Sequence, residues 1–185
     1  MIVSRTARLA ALFTVLCGAS LTASPIVSVA HADSARDQAF FGKVGGTWRG
    51  PGEIVAGKYE GTKFNCSFEG IQPSAAVGMT LDGKCRVGVF SQNMKASIER
   101  NGKGYTGQFL DGAAGEGLDI VAGNVTGDRA VMRLKRKQLE GAMLVRLADK
   151  DTLNVTISVD VNGQMVPVIG MSLDRVDGRS VGSVN

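Results

Sequence analysis

The sequence predicts an all-β chain: a single antiparallel up-and-down β-barrel of about eight to ten strands with one short N-terminal helix. Three observations carry that expectation. Apolar and polar residues alternate with a period of two over most of residues 47–176, the period of a strand with one dry and one wet face. Turn signals interrupt the alternation at regular intervals, as in an all-β sandwich or barrel. Helical patterning is confined to one short stretch, so a sheet has little to cover it and must close on itself or fold over.

The N-terminus is set apart from this pattern. Arg5 and Arg8 form a basic region, Leu9 to Ala23 is an apolar run, and Ala30-His31-Ala32 is a small-x-small site before Asp33. Residues 1–32 therefore read as a secretory signal peptide, cleaved near Ala32-Asp33. The apolar run is shorter than the roughly 20 residues a membrane span needs. The expectation is export to the periplasm or beyond, with no transmembrane anchor. A lipoprotein is disfavoured because Leu16 precedes Cys17, where a small residue is required.

Cleavage changes the chemistry available. With Arg5 and Arg8 gone, 19 basic residues face all 17 acidic ones, so the net charge is +2 rather than the +4 of the whole chain. That is poor ground for a nucleic-acid partner. The only histidine, His31, leaves with the leader, and so does Cys17. Cys66 and Cys85 remain, and two cysteines in an exported chain are expected to form a disulfide. The alternative, a two-cysteine metal site, lacks its usual further ligands without histidine.

The mature chain, about 150 residues, is expected to form one domain. Residues 33–45 supply the helix: Asp33 or Ser34 caps it, Ala35, Ala39 and Phe40 share a side, and Gly45-Gly46 ends it. Residues 46–176 form the barrel. After a first strand from Thr47, alternation runs through Phe64, Cys66 and Phe68; Val77, Met79 and Leu81; Cys85, Val87 and Val89; then Met94, Ala96 and Ile98. The turn Asn101–Gly104 leads to Tyr105 and Phe109, and a glycine-rich loop follows to Gly117. Leu118, Ile120 and Ala122 resume the pattern, then Ala130, Met132 and Leu134, then Met143, Val145 and Leu147. Leu153 to Val161 and Met165 to Arg175 make the clearest hairpin, joined by Asn162-Gly163, a dipeptide suited to a type I′ turn. Residues 177–185, rich in Gly and Ser, are expected to be a flexible tail.

Gly46-Thr47-Trp48, at the start of the first strand and just after the helix, resembles the calycin-type barrels: lipocalins, fatty-acid-binding proteins and the nitrobindin-like group. The resemblance implies that Trp48 closes the barrel floor and that Arg175, from the last strand, packs across its ring. It covers the architecture of residues 45–176 and only these few residues in detail. The nitrobindin-like group holds haem through a histidine; the mature chain has none, so histidine-ligated haem is excluded and no cofactor is expected. Bacterial periplasmic protease inhibitors of the small-barrel kind are similar in layout. Their inhibitory arm is extended, whereas Asp33 to Val44 reads here as helix.

Catalysis has little to work with. Ser-His-Asp and Cys-His sites need a histidine, and no Gly-x-Ser-x-Gly or Ser-x-x-Lys spacing occurs. Asp149 and Asp151 flank a tight turn, where acids are ordinary. The sequence therefore points to a non-enzymatic periplasmic barrel that binds a small apolar or amphipathic ligand or supports the cell envelope. The alternative is an inhibitor or adaptor acting through a protein–protein surface. Met79, Met94, Tyr105, Phe109, Met132 and Met143 are the candidate ligand-lining residues; Trp48, Arg175, Cys66 and Cys85 are the structural ones. Arg129, Arg133, Lys135 and Lys137, evenly spaced on the wet face of one strand, are either a solvated face or a stripe for an anionic surface.

Overall fold

The computed structural model describes residues 29–110 and 117–176, with side chains from Asp33 onward. Residues 1–28, on which most of the expected signal peptide falls, most of the glycine-rich loop and the tail 177–185 lie outside the described residues. One helix, α1 (Val29–Val44), precedes ten strands: β1 (Gly46–Ile54), β2 (Lys63–Ile71), β3 (Gly78–Val87), β4 (Phe90–Asn101), β5 (Gly104–Leu110), β6 (Leu118–Thr126), β7 (Arg129–Arg136), β8 (Leu139–Leu147), β9 (Thr152–Val161) and β10 (Gln164–Arg175). Each strand pairs antiparallel with its neighbours in sequence, and β1 pairs with β10 to close the barrel. Closure gives every strand a neighbour on both sides.

Up-and-down order puts alternate connections at opposite ends. The β2–β3, β4–β5, β6–β7 and β8–β9 links share one end with the start of β1, the end of β10 and α1. The β1–β2, β3–β4, β5–β6, β7–β8 and β9–β10 links share the other. Asn162 (φ 56°) and Gly163 (φ 82°) both take positive φ in the last of these, the backbone of a type I′ turn.

The structure corrects several details of the predicted pattern. The helix starts before Asp33 and Ser34, so neither caps it, and Asp33 instead pairs with Arg36 at 3.2 Å. Its buried face is Asp37, Phe40, Phe41 and Val44, while Ala35 and Ala39 are exposed. The runs around Val77–Leu81 and Cys85–Val89 merge into one strand, β3, with Val77 in the bend before it and Val89 in the turn to β4. Asp82-Gly83 mimics a turn but stays in the strand. A Cβ on Gly83 would stand 2.5 Å from the Phe68 ring, so the bare glycine leaves that ring its place in the core.

Two β-bulges reverse which residues face inward. The register shifts between Ile120 and Ala122, so Ala122 turns outward and Gly123 and Val125 continue the inner face. A second shift between Pro167 and Ile169 turns Met165 outward, opposite Asp160, and puts Val166 opposite Val159. An extra residue in one strand flips every side chain beyond it.

Candidate functional site: a plugged apolar cavity

The end that carries α1 is closed by side chains from the helix, β1 and β10. Gly46 takes φ 108°, a conformation open mainly to glycine, and this turns the helix directly into β1. Trp48 follows, 1% exposed, and its indole N–H donates to the Val44 carbonyl at 2.7 Å. Arg175, opposite Trp48 across the β1–β10 pair, lays its guanidinium 4.2 Å from the indole ring centre. The same guanidinium donates to the carbonyls of Gly45 (2.8 Å), Lys150 (3.1 Å) and Lys43. A cation over an indole contributes about 0.5–2 kcal/mol. Here it also satisfies carbonyls at the C-terminal end of α1, where four carbonyls lack intrahelical partners.

A second lock went unseen in the sequence. Asp37 is 4% exposed and projects from α1 into the barrel. It accepts from the Tyr105 hydroxyl at 2.7 Å, from Arg100 at 3.0 Å and from Arg36 at 3.1 Å. Burial, and then the bond to Asp37, pushes the Tyr105 hydroxyl pKa well above its ordinary value. Phe41 packs against the Tyr105 ring with centres 5.4 Å apart. Two charged donors and one neutral donor on a single carboxylate are what a buried acid needs in place of water. The helix is thereby fixed as a plug.

Beyond the plug lies a cavity of about 420 Å³, within the usual range for sites that take a small molecule. Phe40, Phe41 and Trp48 form its floor, and Val87 and Phe90 stand at its other end. Five of the six predicted lining residues face it: Met79, Met94, Phe109, Met132 and Met143. Tyr105 does not, because its hydroxyl is turned to Asp37. Among the described residues, Ser91 and Gln92 are the only polar ones in the lining, and none there is ionisable. Gly52 helps keep the interior open at β1: a Cβ there would stand 2.3 Å from the Phe64 ring.

Cys66 and Cys85 form the expected disulfide, directly opposite one another on β2 and β3, and Cys85 lines the cavity. The basic stripe is less regular than its spacing suggests. Arg129, Arg133 and Lys135 point outward from β7, with exposed Val131 among them, and Lys135 pairs with Glu140 at 3.3 Å. Lys137 is not on the strand: it occupies the β7–β8 turn with φ 54°. Arg146 is exposed and pairs with Asp128, and Arg86 points outward too, so neither reaches the interior.

No family model matches this chain, and no curated protein does. Among solved structures it is similar to the crystal structure of Rv2717c from M. tuberculosis, at 12% sequence identity and a TM-score of 0.45, over 76% of this chain and 97% of that one. Among the described residues, no helix is long and apolar enough to cross a membrane, and no cluster of His, Cys, Asp or Glu is arranged to hold a metal ion.

Proposed function

We propose that this protein is a non-enzymatic, exported, calycin-like barrel that binds one small apolar or amphipathic molecule in its interior. The observation that carries the reading is the cavity itself, plugged by α1 and Trp48 at one end and lined almost wholly by apolar side chains. An apolar pocket with few polar groups is the ordinary form of a small-molecule site. Methionine adds adaptability, since its unbranched thioether chain repacks around irregular shapes. With no ionisable group in the lining among the described residues, a charged headgroup finds no partner there. The ligand's apolar body would lie inside, with any polar end near Ser91 and Gln92 at the mouth.

Native mass spectrometry of protein recovered from its own host tests this. The expected result is a lipid-sized adduct that is lost in Ala96→Phe, which fills the cavity wall, while the variant's melting stays cooperative. A bare mass in the wild type, with no uptake of an apolar fluorescent probe, would overturn the reading. If the same preparation retained an enzyme, the inhibitor or adaptor role would take its place.

A further inference from the structure

The β3–β4 hairpin differs from the rest of the wall. Val89, in its turn, is 91% exposed, and Phe90 beside it is 78% exposed. These are the two most exposed large hydrophobic side chains among the described residues. Among the described residues, Phe90 to Met94 pair with β3, and β5 joins β4 from Lys95 onward. Val87 and Phe90 also line the cavity mouth.

Arg86 and Lys84 step back from this tip along the outer face of β3, and a row of cations continues across β2 to Arg49 near the plugged end. Arg49 lies opposite Ser67, which lies opposite Lys84; Arg86 lies opposite Asn65, one step nearer the turn on the same face. Arg49, Lys84 and Arg86 border one shallow depression together with Asp174, the single acid there. None of the three is in an ion pair among the described residues, whereas Lys95 on β4, Lys135 on β7 and Arg146 on β8 are held by Asp82, Glu140 and Asp128.

A protein partner asks for a contiguous apolar patch of some size. Two apolar tip residues backed by cations match a different surface, an apolar layer beneath a negatively charged skin. We infer that the β3–β4 hairpin docks this barrel onto a bilayer bearing anionic phospholipids. Val89 and Phe90 enter the acyl boundary, while Arg86, and behind it Lys84, face the headgroup phosphates. This pose sets the cavity mouth against the membrane. The docking stands on the hairpin alone and holds whether or not the cavity is loaded.

Co-sedimentation with vesicles of phosphatidylglycerol and phosphatidylcholine, against phosphatidylcholine alone, tests it. The protein is taken as its host exports it, with the N-terminus fixed by intact mass. Variants are compared on identical material, so any residual leader contributes equally. The wild type is expected to bind the anionic vesicles selectively and to be released by salt. Val89→Asp/Phe90→Asp is expected to weaken binding on the order of tenfold or more. Lys84→Glu/Arg86→Glu is expected to weaken it at least about fivefold for each cation reversed, with uptake of an apolar probe unchanged. Equal binding to both vesicle types, no binding to either, or tip variants that bind as well as the wild type would overturn the proposal. So would a dimer, abolished by the tip substitutions, in place of vesicle binding.

Discussion

The two ends of the barrel are built on opposite terms. At the plugged end, polar chemistry is dense and satisfied: Trp48 bonds to Val44, Arg175 to three carbonyls, and Asp37 gathers Tyr105, Arg100 and Arg36. At the other end, hairpin tips leave apolar side chains in water, among them Tyr59, Val89, Phe90, Val161 and Met165. Among the described residues, Ile71 is the one exposed large hydrophobic residue beside the plugged end's links. The difference teaches where each property resides. Satisfied polar contacts are concentrated where the chain enters and leaves the barrel, and exposed apolar side chains gather on the described hairpin tips of the other end.

The largest expected effect is at the floor. Trp48→Ala removes a fully buried indole and is expected to cost about 3–5 kcal/mol in urea denaturation. A loss below 1 kcal/mol would show that the floor is not a keystone and would erase the contrast between the ends. Asp37→Ala leaves the Tyr105 hydroxyl and the Arg100 guanidinium without their acceptor, and a cost of about 2–4 kcal/mol is expected. The same cluster predicts an alkaline signature. The folded state holds the Tyr105 proton above the ordinary pKa of 10.0, whereas the unfolded chain releases it there. Stability from this group is whole below pH 10 and falls as pH rises beyond it, since the unfolded state then binds fewer protons. Tyr105→Phe is expected to flatten that decline in denaturation curves taken between pH 9 and 11.

Smaller effects sharpen the comparison. Arg175→Ala is expected to cost about 1–2 kcal/mol through the lost cation–π contact and carbonyl bonds, against less than about 0.5 kcal/mol for exposed Arg129→Ala. Equal losses would remove the special standing of the pair. Val89→Asp/Phe90→Asp at the open end is expected to shift stability by no more than about 0.5 kcal/mol. A large destabilisation there would mean that the tip belongs to the core.

Much of this architecture was legible in the residues. Period-two alternation and Asn162-Gly163 marked the strands and the last hairpin, because side-chain period and positive-φ turns are local properties. Trp48 and Arg175 were paired through the calycin resemblance, and the geometry bears out their contact. Asp37 was invisible for a physical reason: a lone acid reads as the wet side of a helix, and only a tyrosine and an arginine more than sixty residues away in the chain make it an inside residue. That also misplaced the helix face to Ala35 and Ala39. The bulges at Val121 and Val168 defeated simple alternation, since each extra residue is set by the partner strand. Tyr105 looked like a ligand residue because its inward direction was readable while its partner was not.

The central claim is that the interior is an apolar binding chamber with Trp48 as its floor. Trp48 is the only tryptophan in the chain, so its fluorescence reports that floor directly. Titration with a long-chain apolar ligand is expected to change the emission saturably, with one molecule bound per chain, and Ala96→Phe is expected to abolish the change. Emission that stays constant through the titration, while the ligand remains in free solution, would contradict the account.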